Sequence, residues 1–225
     1  MFVTRSMAIK VATVDKETSL LEAQELMKQR QIRHLPVVDS TGRLVGMVTD
    51  RDIRSALPYI LAKGEGDTEV RDKYAHLKVA DVMTTDLLTI SPNHTLQDAI
   101  LLIEQKKVGA FPVVDNDKKL VGILSVRDLL RAFINVLGIG EPGTLVCVLV
   151  EEKIGQLKKI VDIVTEENIS CGSVLVARYW EKNKRAVFIY LLSNNVTRVK
   201  RRLQEIGFKL LDPMDWYLDQ LPDEA

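Results

Sequence analysis

The chain has 225 residues, 46% of them apolar and 28% charged, and its 31 basic and 31 acidic side chains cancel. That composition excludes a disordered or fibrous chain, and the neutral balance removes the overall basic bias that nucleic-acid or anionic-membrane binders carry. No stretch approaches the ~20 uninterrupted apolar residues of a membrane-spanning helix, and Met1 to Ser6 lack the features of a secretory signal, so a cytoplasmic location without nucleic-acid or membrane partners is expected.

The first elements recur later in the chain. Leu35-Pro36-Val37-Val38-Asp39 aligns with Phe111-Pro112-Val113-Val114-Asp115, an offset of 76 residues that holds without a gap from Val3/Val79 to Ala56/Ala132. Met7 meets Met83, Gly46 meets Gly122, and Arg51-Asp52 meets Arg127-Asp128. In the first copy a helix is expected from near Ser19, where Ser19 with Glu22 forms a capping-box pattern. Strands follow at His34 to Val38 and Leu44 to Thr49, separated by the turn Asp39-Ser40-Thr41-Gly42, and a second helix starts at about Asp50. A charged, glycine-bearing connector, Pro58 to Leu77 with Lys63-Gly64-Glu65-Gly66-Asp67 inside it, leads onward.

The second copy repeats this order: a helix from Thr95 with Leu96, Ala99, Ile100 and Ile103 at helical spacing, strands at Ala110 to Val114 and Leu120 to Ser125, and a helix from Val126. Each copy of ~55 residues, expected as a three-stranded sheet with two helices, buries too little surface to stand alone. The two are expected to pack together around a cleft on a pseudo-two-fold axis.

Gly138-x-Gly140-x-x-Gly143 follows a helix and precedes a strand, the reverse of a dinucleotide fingerprint, and is read as a helix stop and hinge. Thr144 to Glu151 is expected as a strand, and Leu157, Ile160, Val161 and Val164 as one face of a helix. Ser173 to Trp180 and Ala186 to Leu192 form a hairpin around Glu181-Lys182-Asn183-Lys184. A helix lined by Val196, Val199, Leu203 and Ile206 and a last strand at Phe208 to Leu211 complete a βαββαβ, ferredoxin-like order. The basic run Arg198-Val199-Lys200-Arg201-Arg202 is read as a solvated helix face.

The fold class is therefore α/β (α+β). The expected divisions are 1–62 for the first copy, 63–76 for the connector, 77–137 for the second copy, 138–143 for the hinge and 144–225 for the last domain.

The chemistry-bearing residues are few. Cys147 and Cys171 form no Cys-x-x-Cys pair and are expected as reduced core thiols. His34, His76 and His94 show no metal-ligand spacing, with His94 in the turn before a helix, so no metal is expected. Neither a Gly-x-Ser-x-Gly elbow nor a phosphate loop is present, so no residue is assigned as catalytic and the chain is read as no enzyme. From spacing alone, Thr49-x-x-Asp52 and Ser125-x-x-Asp128 are helix caps.

The run Ile32-Arg33-His34-Leu35-Pro36-Val37-Val38-Asp39 followed by Gly42 to Asp52 resembles a CBS motif (named after cystathionine β-synthase). Val82-Met83-Thr84 to Asp128 resembles a second, and the tandem resembles a Bateman module. The resemblance implies an adenosine-containing regulatory ligand: ATP, ADP, AMP, S-adenosylmethionine or NAD(H), with no cofactor required. In that family a Thr or Ser three residues ahead of an Asp binds the ligand, which implies roles for Thr49 and Asp52 and for Ser125 and Asp128. A carboxylate accepts both ribose hydroxyls, while a hydroxyl and helix-start amides meet phosphate. Arg33 and His34, with Gly109 and Ala110 at the matching positions, and Arg51 and Arg127 are the candidate phosphate-contacting cations; the alternative for Arg33 and His34 is a solvated strand edge.

The last segment resembles an ACT domain, with Gly155-x-Leu157 and Asn168-Ile169 at family positions and Ile154 where that family often has proline. This implies a small-molecule site at Glu152, Gly155, Leu157 and Asn168, or dimerisation through the sheet edge. The whole order resembles bacterial acetoin-utilisation regulatory proteins. It implies a homodimer that binds nucleotide and signals to the ACT-like domain or a regulated partner protein; the alternative is a dimeric scaffold with vestigial sites.

Overall fold

The computed structural model describes residues 1–58, 61, 68–181 and 183–211, and the chain divides into two compact units, Met1–Leu130 and a second that begins at Arg131. The division falls inside a helix, ahead of the glycine-bearing stretch 138–143.

In the first unit the four strands assigned limits above, His34–Val38, Leu44–Thr49, Ala110–Val114 and Leu120–Ser125, appear with those limits. Helix α1, Leu20–Arg30, opens with the Ser19–Glu22 capping box and ends at Gln31 in the left-handed region, φ 53°. Strands β1, His34–Val38, and β2, Leu44–Thr49, pair antiparallel from His34↔Thr49 to Val37↔Gly46 and feed the short helix α2, Asp50–Ala56. In the connector, Lys63 to Asp67 lie outside the described residues; its later part holds helix α3, Thr68–Tyr74, which the sequence reading did not anticipate.

The second copy supplies α4, Leu96–Lys106, then β3, Ala110–Val114, β4, Leu120–Ser125, and α5, Val126–Leu137. Its hairpin has the same register and the same bulge as the first.

The expected three-stranded sheets are corrected. Each is a two-stranded hairpin, with the third strand reduced to single parallel bridges, Val14↔Val37 and Ile90↔Val113. The cause is local. Asp15 Oδ1 accepts from Glu17 N and both Thr18 N and Oγ1, turning the chain directly after Val14, and Pro92, two residues past Ile90, has no N–H for a ladder.

The other edge of each hairpin is occupied by the opposite copy, through Met47↔Thr84 and Ala8↔Ile123. The leading segments are thus exchanged. Val3 N donates to His94 O at 2.8 Å in the second copy, and Val79 N donates to Thr18 O at 2.8 Å in the first. Val79 is fully buried in the first copy's core with Leu20, Leu35, Val48 and Ile53. Neither copy completes its core without the other, the expected consequence of so short a unit.

The second unit contains β5, Thr144–Glu151, α6, Gln156–Glu166, β6, Cys171–Glu181, β7, Lys184–Leu191, α7, Thr197–Glu205, and β8, Lys209–Leu210. The sheet order β6-β7-β5-β8 is the ferredoxin-like connectivity. The expected hairpin turn falls at Asn183, φ 61°, with Lys182 outside the described residues.

Four details depart from the sequence reading. Helix α6 faces the sheet with Ile160, Ile163 and Val164, leaving Leu157 and Val161 exposed; three neighbouring apolar columns fix its period but not its phase. Ile206 lies past the end of α7 and is exposed, while Val196, Val199 and Leu203 are buried. Cys171 is exposed at the head of the edge strand β6 and Cys147 is half-buried, so neither is a core thiol. The basic run is more than a solvated face: Arg198 and Arg202 both pair with Glu167 at 3.0 Å, and Arg202 also pairs with Glu166.

Among the described residues no helix is long and apolar enough to cross a membrane, and no group of three or more His, Cys, Asp or Glu could hold a metal ion. The glycines at 138 to 143 act locally. Gly138, φ 67°, ends α5, and a Cβ on Gly143 would meet Leu191 O at 2.4 Å.

Candidate functional site

Strand β2 ends at Thr49 and α2 starts at Asp50, and this junction is locked by three hydrogen bonds. Thr49 N and Oγ1 donate to Asp52 Oδ2 at 2.8 and 2.6 Å, and Asp52 N donates back to Thr49 Oγ1 at 3.3 Å. Ser125 and Asp128 repeat the box between β4 and α5 at 2.9, 2.5 and 3.3 Å. The capping expectation therefore holds for both.

It does not by itself mark a site. Thr95 and Asp98 at the start of α4 form the same box at 2.8, 2.7 and 3.2 Å. What separates Asp52 from Asp98 is a cavity. A space of about 620 Å³ lies between the copies, walled by Arg33, His34, Thr49, Arg51 and Asp52 from the first. All five were expected from sequence. Both hydrogen bonds that the Asp52 carboxylate accepts among the described residues land on Oδ2.

The opposite wall comes from two segments of the second copy that sequence reasoning missed: Thr84 with Asp86, Leu87 and Leu88, and Lys107 with Val108, Gly109 and Ala110. Thr84 is brought there by its bridge to Met47, another wall residue. Lys107 is brought there by the left-handed residue that ends α4, φ 52°. The signal available was the 76-residue offset, which places Gln31, also left-handed, opposite Lys107; that the two copies exchange segments was not in the pattern.

The walls are mixed in character. Met47, Leu87, Leu88 and Val108 supply apolar surface. Arg54 pairs with Asp50 at 2.5 Å and is neutralised. Among the described residues Arg33, Arg51 and Lys107 have no ion pair, and Asp86 has none. His34 is half-buried, and its pKa is lowered from the ordinary imidazole value, first by burial and then by Arg33, with Asp52 opposing. Gly109 lies against that ring, since a Cβ there would be 3.1 Å from His34 Nε2.

Ser125, Arg127 and Asp128 do not line this cavity; they stand at the equivalent junction of the second copy. In the second unit the four candidate residues are not brought together. Glu152 and Gly155 (φ 90°) precede α6, Leu157 is on its first turn, and Asn168 (φ 56°) follows its far end, roughly 16 Å away at 1.5 Å per residue. Glu152 pairs with Arg185. Gln156 Oε1 and Arg185 Nε are buried without a hydrogen-bond partner among the described residues.

The sequence profile of the CBS domain matches residues 3–59 and 79–135. CBS domain-containing protein YhcV of Bacillus subtilis (strain 168) is 39% identical over 124 residues, covering 55% of this chain and 79% of that protein. The crystal structure of CBSX2 in complex with AMP is similar with a TM-score of 0.50 at 30% identity, over 59% of this chain and 96% of that one. That of a Vibrio cholerae protein assigned to acetoin utilization (AcuB) has a TM-score of 0.52 at 28% identity, over 63% and 98%. Two enzymes, a homoserine O-acetyltransferase of Methanohalobium evestigatum and an inosine-5'-monophosphate dehydrogenase of Bifidobacterium longum, also match, but the chain spans only 24% and 20% of their lengths.

Proposed function

The chain belongs to the CBS-domain family, with two copies in tandem, and from that premise we propose that it is a non-catalytic, cytoplasmic regulatory protein that binds an adenosine-containing nucleotide between the copies. The observation that carries this reading is the cavity in which Asp52 and Thr49 from one copy face Lys107 and Asp86 from the other, with Arg33 and Arg51 free of ion pairs among the described residues. Asp52 Oδ1 accepts from the ribose hydroxyls, the apolar wall of Met47, Leu87 and Val108 takes the base, and the cations face phosphate. The AMP-bound CBSX2 structure supports this ligand class.

Ser125, Arg127 and Asp128 are proposed to offer a second, equivalent site. Because both copies contribute walls, occupancy favours one packing of the pair over another, which is the condition for allosteric signalling. The βαββαβ second unit is proposed as an ACT-type domain that reads this packing or passes it to a partner protein. Since Glu152 and Asn168 lie at opposite ends of α6, a single chain does not build the small-molecule site expected there, and a homodimer is proposed to join the two halves.

Calorimetric titration with ATP, ADP, AMP, S-adenosylmethionine and NADH, repeated on Asp52→Ala and Asp128→Ala, tests the reading. Binding by the wild type that is lost in either variant supports it; silence toward all five ligands overturns it.

One observation favours a second reading. Asp52 and Asp128 are both engaged in capping boxes like that of Asp98, as expected of a dimeric scaffold with vestigial sites. That reading requires self-association indifferent to every nucleotide, which sedimentation with and without ATP decides.

A further inference from the structure

Among the described residues the wall of the cavity holds three cations without ion pairs, Arg33, Arg51 and Lys107, against two carboxylates, Asp52 and Asp86, while Arg54 and Asp50 neutralise each other. The wall thus carries one surplus positive charge, and removal of Lys107 balances it. Among the described residues Lys107 is the one basic residue on the wall that comes from the second copy.

We propose that Lys107 is the specificity-determining residue of this cavity, reading the anionic tail of an adenosine phosphate from the copy opposite the one that holds its ribose. The inference rests on the nucleotide reading above and deepens it. A ligand gripped at its sugar by Asp52 and at its tail by Lys107 ties the two copies together. An adenosine ligand whose tail has no net negative charge, such as adenosine itself or S-adenosylmethionine, whose carboxylate is outweighed by its ammonium and sulfonium, gains little from Lys107. The backbone, and no partner side chain among the described residues, sets where the Lys107 side chain leaves the chain. Lys107 takes the left-handed conformation that closes α4, φ 52°, with its N–H on Ile103 O at 2.8 Å.

The repeat also provides the conservative substitution. Gln31 occupies the equivalent helix end of the first copy at φ 53°, so Lys107→Gln removes the charge while keeping a side chain this chain already places in that geometry. Lys107→Arg keeps the charge.

Titration of wild type, Lys107→Gln, Lys107→Arg and Asp52→Ala with adenosine, AMP and ATP tests the proposal, with melting curves to show that each variant is folded. Expected is a wild-type preference for ATP over adenosine that falls roughly tenfold in Lys107→Gln, as for loss of one charge-assisted contact at a partly solvated site. Adenosine affinity stays unchanged, Lys107→Arg restores the preference, and added salt erodes it. If Lys107→Gln keeps the wild-type preference while Asp52→Ala loses binding, Lys107 does not read the tail and the nucleotide site stands. If the wild type binds none of the three, both fall.

Discussion

Gly109 lies against the imidazole of His34, close enough that a Cβ on Gly109 would stand 3.1 Å from Nε2 and 3.3 Å from Cε1. The repeat pairs Gly109 with Arg33, and any Cβ at 109 crowds the ring tip of the first copy's histidine, which would have to give by a few tenths of an ångström. A larger residue at 109 pushes the ring into the cavity. Gly109→Val is expected to weaken nucleotide binding by about ten- to hundredfold, through an overpacking cost of roughly 1–3 kcal/mol that a ligand must work against. Unchanged affinity in a folded Gly109→Val protein would show that the ligand does not use this part of the cavity.

Asp52 and Asp98 make the same capping box on different helices, and only Asp52 faces the cavity. Asp52→Ala and Asp98→Ala should each lower unfolding free energy by about 1 kcal/mol, the usual cost of a lost cap, as read by urea denaturation. Only Asp52→Ala should lose nucleotide. If both variants bind as wild type does, Asp52 is a cap and nothing more.

The hairpins and their flanking helices were legible because the same pattern occurs twice, so that turn residues, strand runs and helix starts corroborate one another at a fixed offset. Thr49, Arg51 and Asp52 on the first-copy wall were legible through the resemblance to the CBS motif, and so were Arg33 and His34, although Gly109 and Ala110 stand at their repeat positions. Asp86 and Lys107 were not, because only the packing of one copy against the other sets them on the same cavity as Thr49, a long-range event with no local signature. The third strand was overestimated since an aspartate turn and a proline each stop the chain after one bridge. In α6 the apolar residues cover too wide an arc for spacing to choose between Leu157 and Ile163, and packing against the sheet decides.

Glycines 46 and 122 each receive a methionine from the opposite copy. A Cβ on Gly46 would stand 2.6 Å from Met83 Sδ, and one on Gly122 would stand 2.6 Å from Met7 Sδ. The methionines can move; the backbone behind them moves less. The nearest carbonyl is Thr84 O at 3.3 Å for Gly46 and Ala8 O at 3.0 Å for Gly122. Both alanine variants are expected to be destabilised, by about 1–3 kcal/mol, with Gly122→Ala the more affected. Urea denaturation of Gly46→Ala alone and combined with Met83→Ala provides the internal check. Relief in the double variant is expected, and purely additive losses would place the strain elsewhere.

His34 gives the protein a pH dependence whose sign follows from its surroundings. Burial and the Arg33 guanidinium hold its pKa below the ordinary imidazole value, Asp52 offsetting them only in part. The folded protein thus binds this proton less tightly than the unfolded chain does. Below about 6.5, the ordinary value, the unfolded state carries more protons, so stability falls as pH drops through the window down to the folded pKa and is unaffected above it. His34→Gln should flatten that slope. A phosphate-bearing ligand acts in the opposite direction, because its charge favours the imidazolium. Binding should therefore take up protons, and affinity should rise as pH is lowered from 7.5 toward 6, values chosen to bracket the ordinary imidazole range of about 6.5. Only three histidines are present, so proton NMR can follow the ring directly, with His34→Gln assigning its resonance. A His34 that titrates above the free imidazole value without ligand, or does not shift upward when ATP is added, would remove both halves of this prediction.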